Sequence, residues 1–244
     1  MRTNISNLKI FYDQYIGHIV VKVLEKKIKQ YWPELKNKRV LGIGYANPLL
    51  DKICKETERV FSLMPADQGV IKWGLNHGNA SLLSDECSLP FPDSFFDKII
   101  IFHVLEGCRN EKEFLREIWR ILEDGGSMII IVPRPRTPWS FFNRSPFASG
   151  KTCSIKRLKR LLNDILFLPI QSDSVLFVPP FKNSYILDYF VKYENVGRLF
   201  FPALCGLNII EAQKQIYVLS KNTTDINLFK KYIFIPKRDK SLES

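Results

Sequence analysis

Between Ser6 and Tyr31, the apolar residues Leu8, Phe11, Tyr12, Tyr15, Ile16, Ile19, Val20, Val23, Leu24 and Ile28 recur at helical spacing. The other face carries Lys22, Lys26, Lys27 and Lys29, and Pro33 ends the run. The pattern then changes. Arg39 to Ile43 is a short apolar run between Lys and Gly, which predicts a buried strand. Ala46 to Glu58 predicts a helix through Leu49, Leu50 and Ile53. Arg59 to Met64 predicts a second strand stopped by Pro65, and Ala80 to Leu83 a third. Asp97 to Val104 has the continuous apolar character of a strand covered on both faces. Glu111 to Leu122 is amphipathic, with Phe114, Leu115, Ile118, Trp119 and Leu122 on one side, and Asp124-Gly125-Gly126 is expected to close it. Ser127 to Val132 predicts a fifth strand, Ile155 to Ile165 a basic helix, and Leu176 to Val178 and Asn208 to Leu219 two late strands.

Strands alternating with helices in this order predict parallel β-α-β units. The expected fold class is α/β, a doubly wound, mostly parallel seven-stranded sheet in three layers. In such a sheet a ligand lies beyond the carboxyl ends of the strands, near the switch point. The residues to watch are therefore Gly44 to Asn47, Met64 to Gln68, Ser84 to Cys87, His103 to Gly107, and Pro133 onward.

Composition narrows this without changing it. With 244 residues, 45% of them hydrophobic, the chain can fill one large core, and one domain over residues 1–221 is expected. Residues 222–244 are expected to be a basic, partly ordered tail. Cys54, Cys87, Cys108, Cys153 and Cys205 are scattered, and the histidines are isolated, which argues against a disulfide framework and a metal site. Residues 1–14 lack the apolar core of a signal peptide, and no stretch reaches the length of a membrane span. A cytoplasmic protein is expected. The net charge is +11, and no acid occurs from Ser127 to Asn163. That stretch holds Arg134, Arg136, Arg144, Lys151, Lys156, Arg157, Lys159 and Arg160. It reads either as a site for RNA or an anionic membrane surface, centred on 134–160, or as a solvated basic face.

Three stretches resemble the class I S-adenosyl-L-methionine (SAM)-dependent methyltransferases, and Leu41 to Leu50, with Met64 to Gly69 and Gly206 to Tyr217, resembles a bacterial branch of methyltransferase-like proteins. Val40-Leu41-Gly42-Ile43-Gly44-Tyr45-Ala46 stands where that family has its strand-to-helix glycine motif. Ser84 to Asp97, with Leu89-Pro90-Phe91-Pro92-Asp93, resembles the family's approach to the fourth strand. Phe102-His103-Val104-Leu105-Glu106, followed by Leu115 to Leu122 and Gly125-Gly126, resembles the run into the fifth. The resemblance covers roughly Lys38 to Pro133. It implies a Rossmann-like methyltransferase fold with SAM as cofactor. It also implies cofactor contacts at Gly42, Gly44, Tyr45, Met64, Asp85, Glu86 and His103. A glycine turn lets the backbone approach a ligand closely, and Asp85 matches the position that accepts the adenine amino group.

The chain departs from the pattern in two places. Gly42 replaces an acid that helps hold the cofactor's methionine end, a loss of ~1.5–3 kcal/mol for one charge-assisted hydrogen bond. After the second strand, Met64 and Pro65 stand where a ribose-binding acid is usual, and Asp67 comes late.

Each residue also has a plainer reading. Gly42 and Gly44 can serve a tight turn, and Asp85 can cap one. His103 reads equally as a general base or a packed histidine. Glu106 reads as a cap. Tyr12 and Tyr15 read as a lid or as core. Trp139, Phe141, Phe142 and Phe147, interleaved with Arg134, Arg136 and Arg144, read as a stacking surface or as a loop over the site. The expected function is methyl transfer to an acidic or amphipathic small-molecule acceptor. The alternative is a methyltransferase-fold binding module that no longer catalyses and instead binds RNA, a membrane surface or a protein partner. A nicotinamide dehydrogenase would need a fuller glycine fingerprint than Gly42-x-Gly44 followed by Asn47.

Overall fold

Strand β1 (Arg39–Gly44) is the third strand across a seven-stranded sheet in the computed structural model. The described residues are 3–74, 79–141, 145–148, 150–177 and 205–216. The sheet order is β3-β2-β1-β4-β5-β7-β6, where β2 is Arg59–Pro65, β3 Ser81–Ser84, β4 Phe96–Phe102, β5 Leu122–Pro133, β6 Phe167–Val175 and β7 Leu207–Lys214. β1 pairs in parallel with β2 and β4, and β4 with β5. β7 alone runs antiparallel, inserted between β5 and β6. The strand order reverses between β1 and β4, so the crevice that such sheets offer a ligand opens beyond Gly44 and Phe102.

Alternate residues of the strands feed two apolar clusters. Val40, Ile100, Ile129 and Ile209 pack with α1 (Ile5–Tyr12), α2 (Tyr15–Tyr31) and α3 (Asn47–Ile53). Leu41, Ile99, Ile130 and Ile210 pack with α4 (Glu111–Ile121) and α6 (Ile155–Asp164), and the short α5 (Pro138–Phe141) falls between those two helices in the chain. Both helix starts in the second group carry side-chain caps. Asn110 accepts from the Glu113 amide and Ser154 from the Arg157 amide.

Two of the stretches that carry the family resemblance are tied to one another. Glu117 on α4 accepts from the Leu89 amide at 3.1 Å. Arg120, one turn on, donates to the carbonyls of Leu89 at 3.0 Å and Phe91 at 2.8 Å. The Leu-Pro-Phe-Pro segment, whose prolines leave main-chain groups without ladder partners, is thereby fastened to the helix before β5.

Several expectations need correction. The helix expected over 6–31 is two helices, broken at Asp13–Gln14. They meet so closely at Gly17 that a Cβ there would stand 2.4 Å from the Phe11 carbonyl oxygen. The helix after β1 ends at Ile53 and tightens into a 3₁₀ turn over Cys54–Glu56. Gly125 and Gly126 do not close α4, which stops at Ile121 with Leu122 already extended. They form an irregularity within the β4–β5 pairing, and only Gly125 has a positive φ, of 74°. The strand expected at Leu176 to Val178 lies earlier, at β6. Pro169 is tolerated there because β6 is an edge strand, and Leu176 has already left the extended region at φ 66°. The last strand spans Leu207–Lys214. Val178, residues 217–219, Phe142, Arg144 and the tail at 222–244 lie outside the described residues.

Candidate active site

Gly44 ends β1 with φ +83°, a conformation glycine adopts without strain. A Cβ there would lie 2.1 Å from the Phe102 carbonyl oxygen and 2.4 Å from a Val104 methyl. At Gly42 a Cβ would lie 2.7 Å from Leu50 and 2.8 Å from Ala46. The atoms of the chain itself therefore make the close approaches at both glycines. The carboxylate that the family usually carries at position 42 would fall where Leu50 sits.

Tyr45 follows, buried, its amide bonded to the Phe102 carbonyl at 3.0 Å. Burial, with Asp13 and Asp51 nearby, pushes its phenol up to about 12. Beyond β2, Met64 is fully buried and its sulfur accepts from the Ile71 amide at 3.4 Å. Asp67 is exposed, whereas Gln68 turns inward and is fully buried. The Gln68 amide donates to the His103 carbonyl at 2.9 Å, and its main-chain oxygen accepts from Ile5 on α1 at 2.9 Å.

His103 is the residue on which these elements converge. Its φ is 58°, uncommon outside glycine and a form of strain found at functional sites. The imidazole is 5% exposed. Its ring stacks on Phe147 at 5.5 Å and 15°, and lies 4.1 Å from the Phe102 ring. Nε2 is 2.8 Å from the Tyr12 hydroxyl on α1. Nδ1 is 3.5 Å from Glu106 Oε1. Burial, then the charge of Glu106, pushes the Tyr12 phenol well above its ordinary value. Tyr12 therefore keeps its proton, and the direction of its hydrogen bond with Nε2 follows the tautomer of the imidazole. The Tyr12 ring also lies 5.3 Å from Tyr45.

Asp85 and Glu86 lie at the end of β3, two strands from β1 and so about 10 Å along the sheet. Asp85 is exposed and its Oδ1 accepts from the Cys87 amide at 2.8 Å, the geometry of a capped turn. Glu86 is half-buried. The structure thus brings Gly44, Tyr45, Met64 and His103 together at one edge, keeps Gly42 inside the packing, and places Asp85 and Glu86 further along.

Tyr12 and Gln68 carry more of the site than their sequence context gives away. Tyr12 fits the helical stripe as well as any core aromatic, and Tyr15, three residues on, is exposed. The loop after β5 is divided in the same way. Trp139 and Phe147 are fully buried, and Phe147 faces both Phe11 and His103. Phe141 is 76% exposed. In the basic stretch, Arg157 donates to Glu111 at 2.6 Å and Arg134 to the Cys205 sulfur at 2.6 Å. Those two guanidinium groups have internal work. Among the described residues no group of His, Cys, Asp and Glu could hold a metal ion, and no helix is long and apolar enough to cross a membrane.

The donor set fits a SAM-like zwitterion at its polar ends. Asn47 Nδ2, at the start of α3, is a buried donor without a partner. Gln68 Oε1 is a buried acceptor without a partner. An amino-acid head group brings one carboxylate and one ammonium, the complement of that pair. The rings of Tyr12, Tyr45 and Phe147 suit a sulfonium, and the Asp85 carboxylate can accept from an amino group.

Residues 39–130 match the family model described as a methyltransferase domain. The chain is 26% identical over 98 residues to the ubiquinone/menaquinone biosynthesis C-methyltransferase UbiE of Bordetella avium (strain 197N). That match covers 37% of this chain and 38% of the relative, well short of the relative's whole length. Among solved structures, a SAM-dependent methyltransferase from Archaeoglobus fulgidus aligns with TM-score 0.54 and 18% identity, covering 78% of this chain and 93% of that one. The phosphoethanolamine N-methyltransferase 2 of Haemonchus contortus, in complex with S-adenosyl-L-methionine, aligns with TM-score 0.50 and 13% identity. It covers 78% of this chain and 51% of that one.

Proposed function

We propose that this chain, whose residues 39–130 match the methyltransferase-domain model, transfers a methyl group from SAM to an acidic or amphipathic small molecule at the carboxyl edge of β1, β2 and β4. The observation that carries the reading is the buried Tyr12–His103 pair at the switch point, on a histidine held at positive φ.

When bound, SAM supplies an electrophilic methyl group on a sulfonium. Asn47 and Gln68 would hold its amino-acid end, the Gly44–Tyr45 turn and Met64 its middle, and Asp85 with Glu86 its amino-bearing ring. The chain's own contribution is alignment and the handling of one proton. An acceptor that carries an acidic O–H or N–H gives that proton to the Tyr12 oxygen as Tyr12 passes its own to His103 Nε2. The lone pair left on the acceptor is the nucleophile. The imidazolium then stands between the Tyr12 oxygen and the Glu106 carboxylate. Proton handling of this kind contributes on the order of 10²–10⁴ in rate. Trp139, Phe147 and Phe11 make an apolar wall beside His103, and Arg136 is exposed just after β5, which suits an acceptor with an apolar body and a negative end.

Calorimetric titration with SAM, beside Asp85→Ala, tests the reading. Micromolar to submillimolar binding in the wild type, weakened about tenfold in the variant, is expected for one lost hydrogen bond to a charged group. Absence of heat up to millimolar SAM would remove the methyltransferase reading and leave a binding module on this fold.

A further inference from the structure

Glu106 is a carboxylate in an unusual position. It is 8% exposed, and among the described residues neither of its oxygens has a hydrogen-bond partner. A buried ionised carboxylate without partners is costly, and such a group is kept where a charge will meet it. The charged or titratable groups around it are few. Tyr12 approaches from α1, with Tyr45 behind it. Cys153 approaches from the segment before α6, with Arg157 beyond, and the Arg157 guanidinium is engaged by Glu111 and Cys153. Lys151 meets Glu106 through its main-chain amide, which donates to the Glu106 carbonyl at 2.8 Å. Among the described residues, the imidazole of His103, 3.5 Å away, is left as the group that can answer the carboxylate.

The backbone is shaped to keep it there. Gly150, at φ +85°, lies so close that a Cβ would stand 2.8 Å from Glu106 Cβ and from its carbonyl oxygen. The loop after β5 thus closes over Glu106, which helps keep water away. Nδ1 faces the Glu106 carboxylate, which can only accept, and a proton held on Nδ1 leaves Nε2 to accept from the Tyr12 hydroxyl.

We propose that Glu106 is a positioning residue: it holds His103 as the Nδ1–H tautomer with Nε2 open to the Tyr12 proton, and it steadies the imidazolium once that proton arrives. This rests on the reading of His103 as the proton acceptor. In the transfer, the Tyr12 O–H bond breaks, an Nε2–H bond forms, and the Nδ1–H bond stays in place facing the carboxylate. Contacts of this kind are commonly long at rest and tighten when the reacting group binds.

The test is ¹⁵N NMR of the histidine side chains, where His18 and His77 are the only other histidines. Wild type, Glu106→Gln and Glu106→Met are compared on the full chain, with SAM titrated into the same samples. The wild type is expected to show Nδ1–H as the main neutral form of His103. Its ratio to Nε2–H is expected to fall by about tenfold in Glu106→Met, the factor that one charge-assisted hydrogen bond carries. A fall in either variant supports the proposal. The same ratio in all three proteins, or a proton on Nε2 in the wild type, overturns it. The SAM titration keeps the two ideas apart. A shifted tautomer without SAM binding removes the methyltransferase reading alone, and SAM binding with an unmoved tautomer removes the role of Glu106 alone.

Discussion

Among single residues, Gly42 decides the most about the chemistry. The family's acid is absent there, and the space it would need is taken by Leu50 and Ala46. The two changes are coupled, because a carboxylate could not be restored without moving α3. Gly42→Asp is therefore expected to destabilise the fold by about 3 kcal/mol or more, as a buried unpaired charge does, and to leave SAM affinity no better. Chemical denaturation and calorimetry on the same variant check this. Tighter SAM binding at unchanged stability would mean that the glycine is a simple loss. Asp85 presents the converse case. Its position was legible from the motif, but the turn it caps through the Cys87 amide uses only one oxygen. A structural role and a ligand role are compatible in one carboxylate.

Among elements, α1 has the largest effect on the site. The amphipathic stripe from Leu8 to Ile28 was readable as a helix, yet nothing in its spacing marks the break at Asp13–Gln14. The break depends on a close helix crossing, and the residue that permits it is Gly17. Gly17→Ala would place a Cβ 2.4 Å from the Phe11 carbonyl oxygen and from Tyr12 Cα, both backbone atoms that cannot swing aside. The expected result is a loss of about 2 kcal/mol or more, together with displacement of α1 and disruption of the Tyr12–His103 bond. Near-UV circular dichroism, sensitive to the packing of Tyr12 on Tyr45 and Phe102, reads the second effect. An unchanged spectrum would show that α1 does not depend on that crossing. The β6 displacement has a similar origin. Edge strands tolerate proline and mixed polarity, so the local pattern of 167–175 resembled a loop until β7 supplied its partner.

At the scale of the whole molecule, charge fixes how the sheet closes on its amino edge. Burial raises the Asp97 carboxyl, but the Arg39 amide, then Lys38 and the Arg39 side chain, outweigh it, and the net shift is downward. Glu117 is lowered chiefly by Arg120, against its burial and with help from the Leu89 amide. A carboxyl whose folded pKa lies below its unfolded one contributes stability above the unfolded value. That contribution is lost as pH falls through the folded one. Both contributions are thus present at neutral pH and are expected to disappear as pH drops from about 4 downward. Urea midpoints measured from pH 6 to pH 3 should fall, and less steeply in Asp97→Asn with Glu117→Gln. Equal slopes would place the acid sensitivity elsewhere. The cost of exposure limits each effect to about 1 kcal/mol, since Asp97 and Glu117 are about one-fifth exposed.

The sequence by itself determined the class of fold, most strand positions and the resemblance to a methyltransferase domain, because these rest on local signals. Apolar runs such as Asp97 to Val104 exceed what a half-exposed strand needs. The spacing from Leu89 through Glu117 to Arg120 carries a fixed set of hydrogen bonds that hold wherever the segment folds this way. The same local reading pointed to Gly44, Tyr45, Met64, Asp85, Glu86 and His103 as an edge to watch. It could not rank them. Only the tertiary structure decided that Tyr12, 91 positions away, meets His103, that Gln68 turns inward beneath it, and that Glu106 is buried beside His103 with no hydrogen-bond partner among the described residues. Those facts depend on which side chains meet across elements far apart in the chain. A tyrosine in a helical stripe and a glutamate after a strand have many ordinary neighbours, and packing alone selects the one arrangement in which they share a histidine.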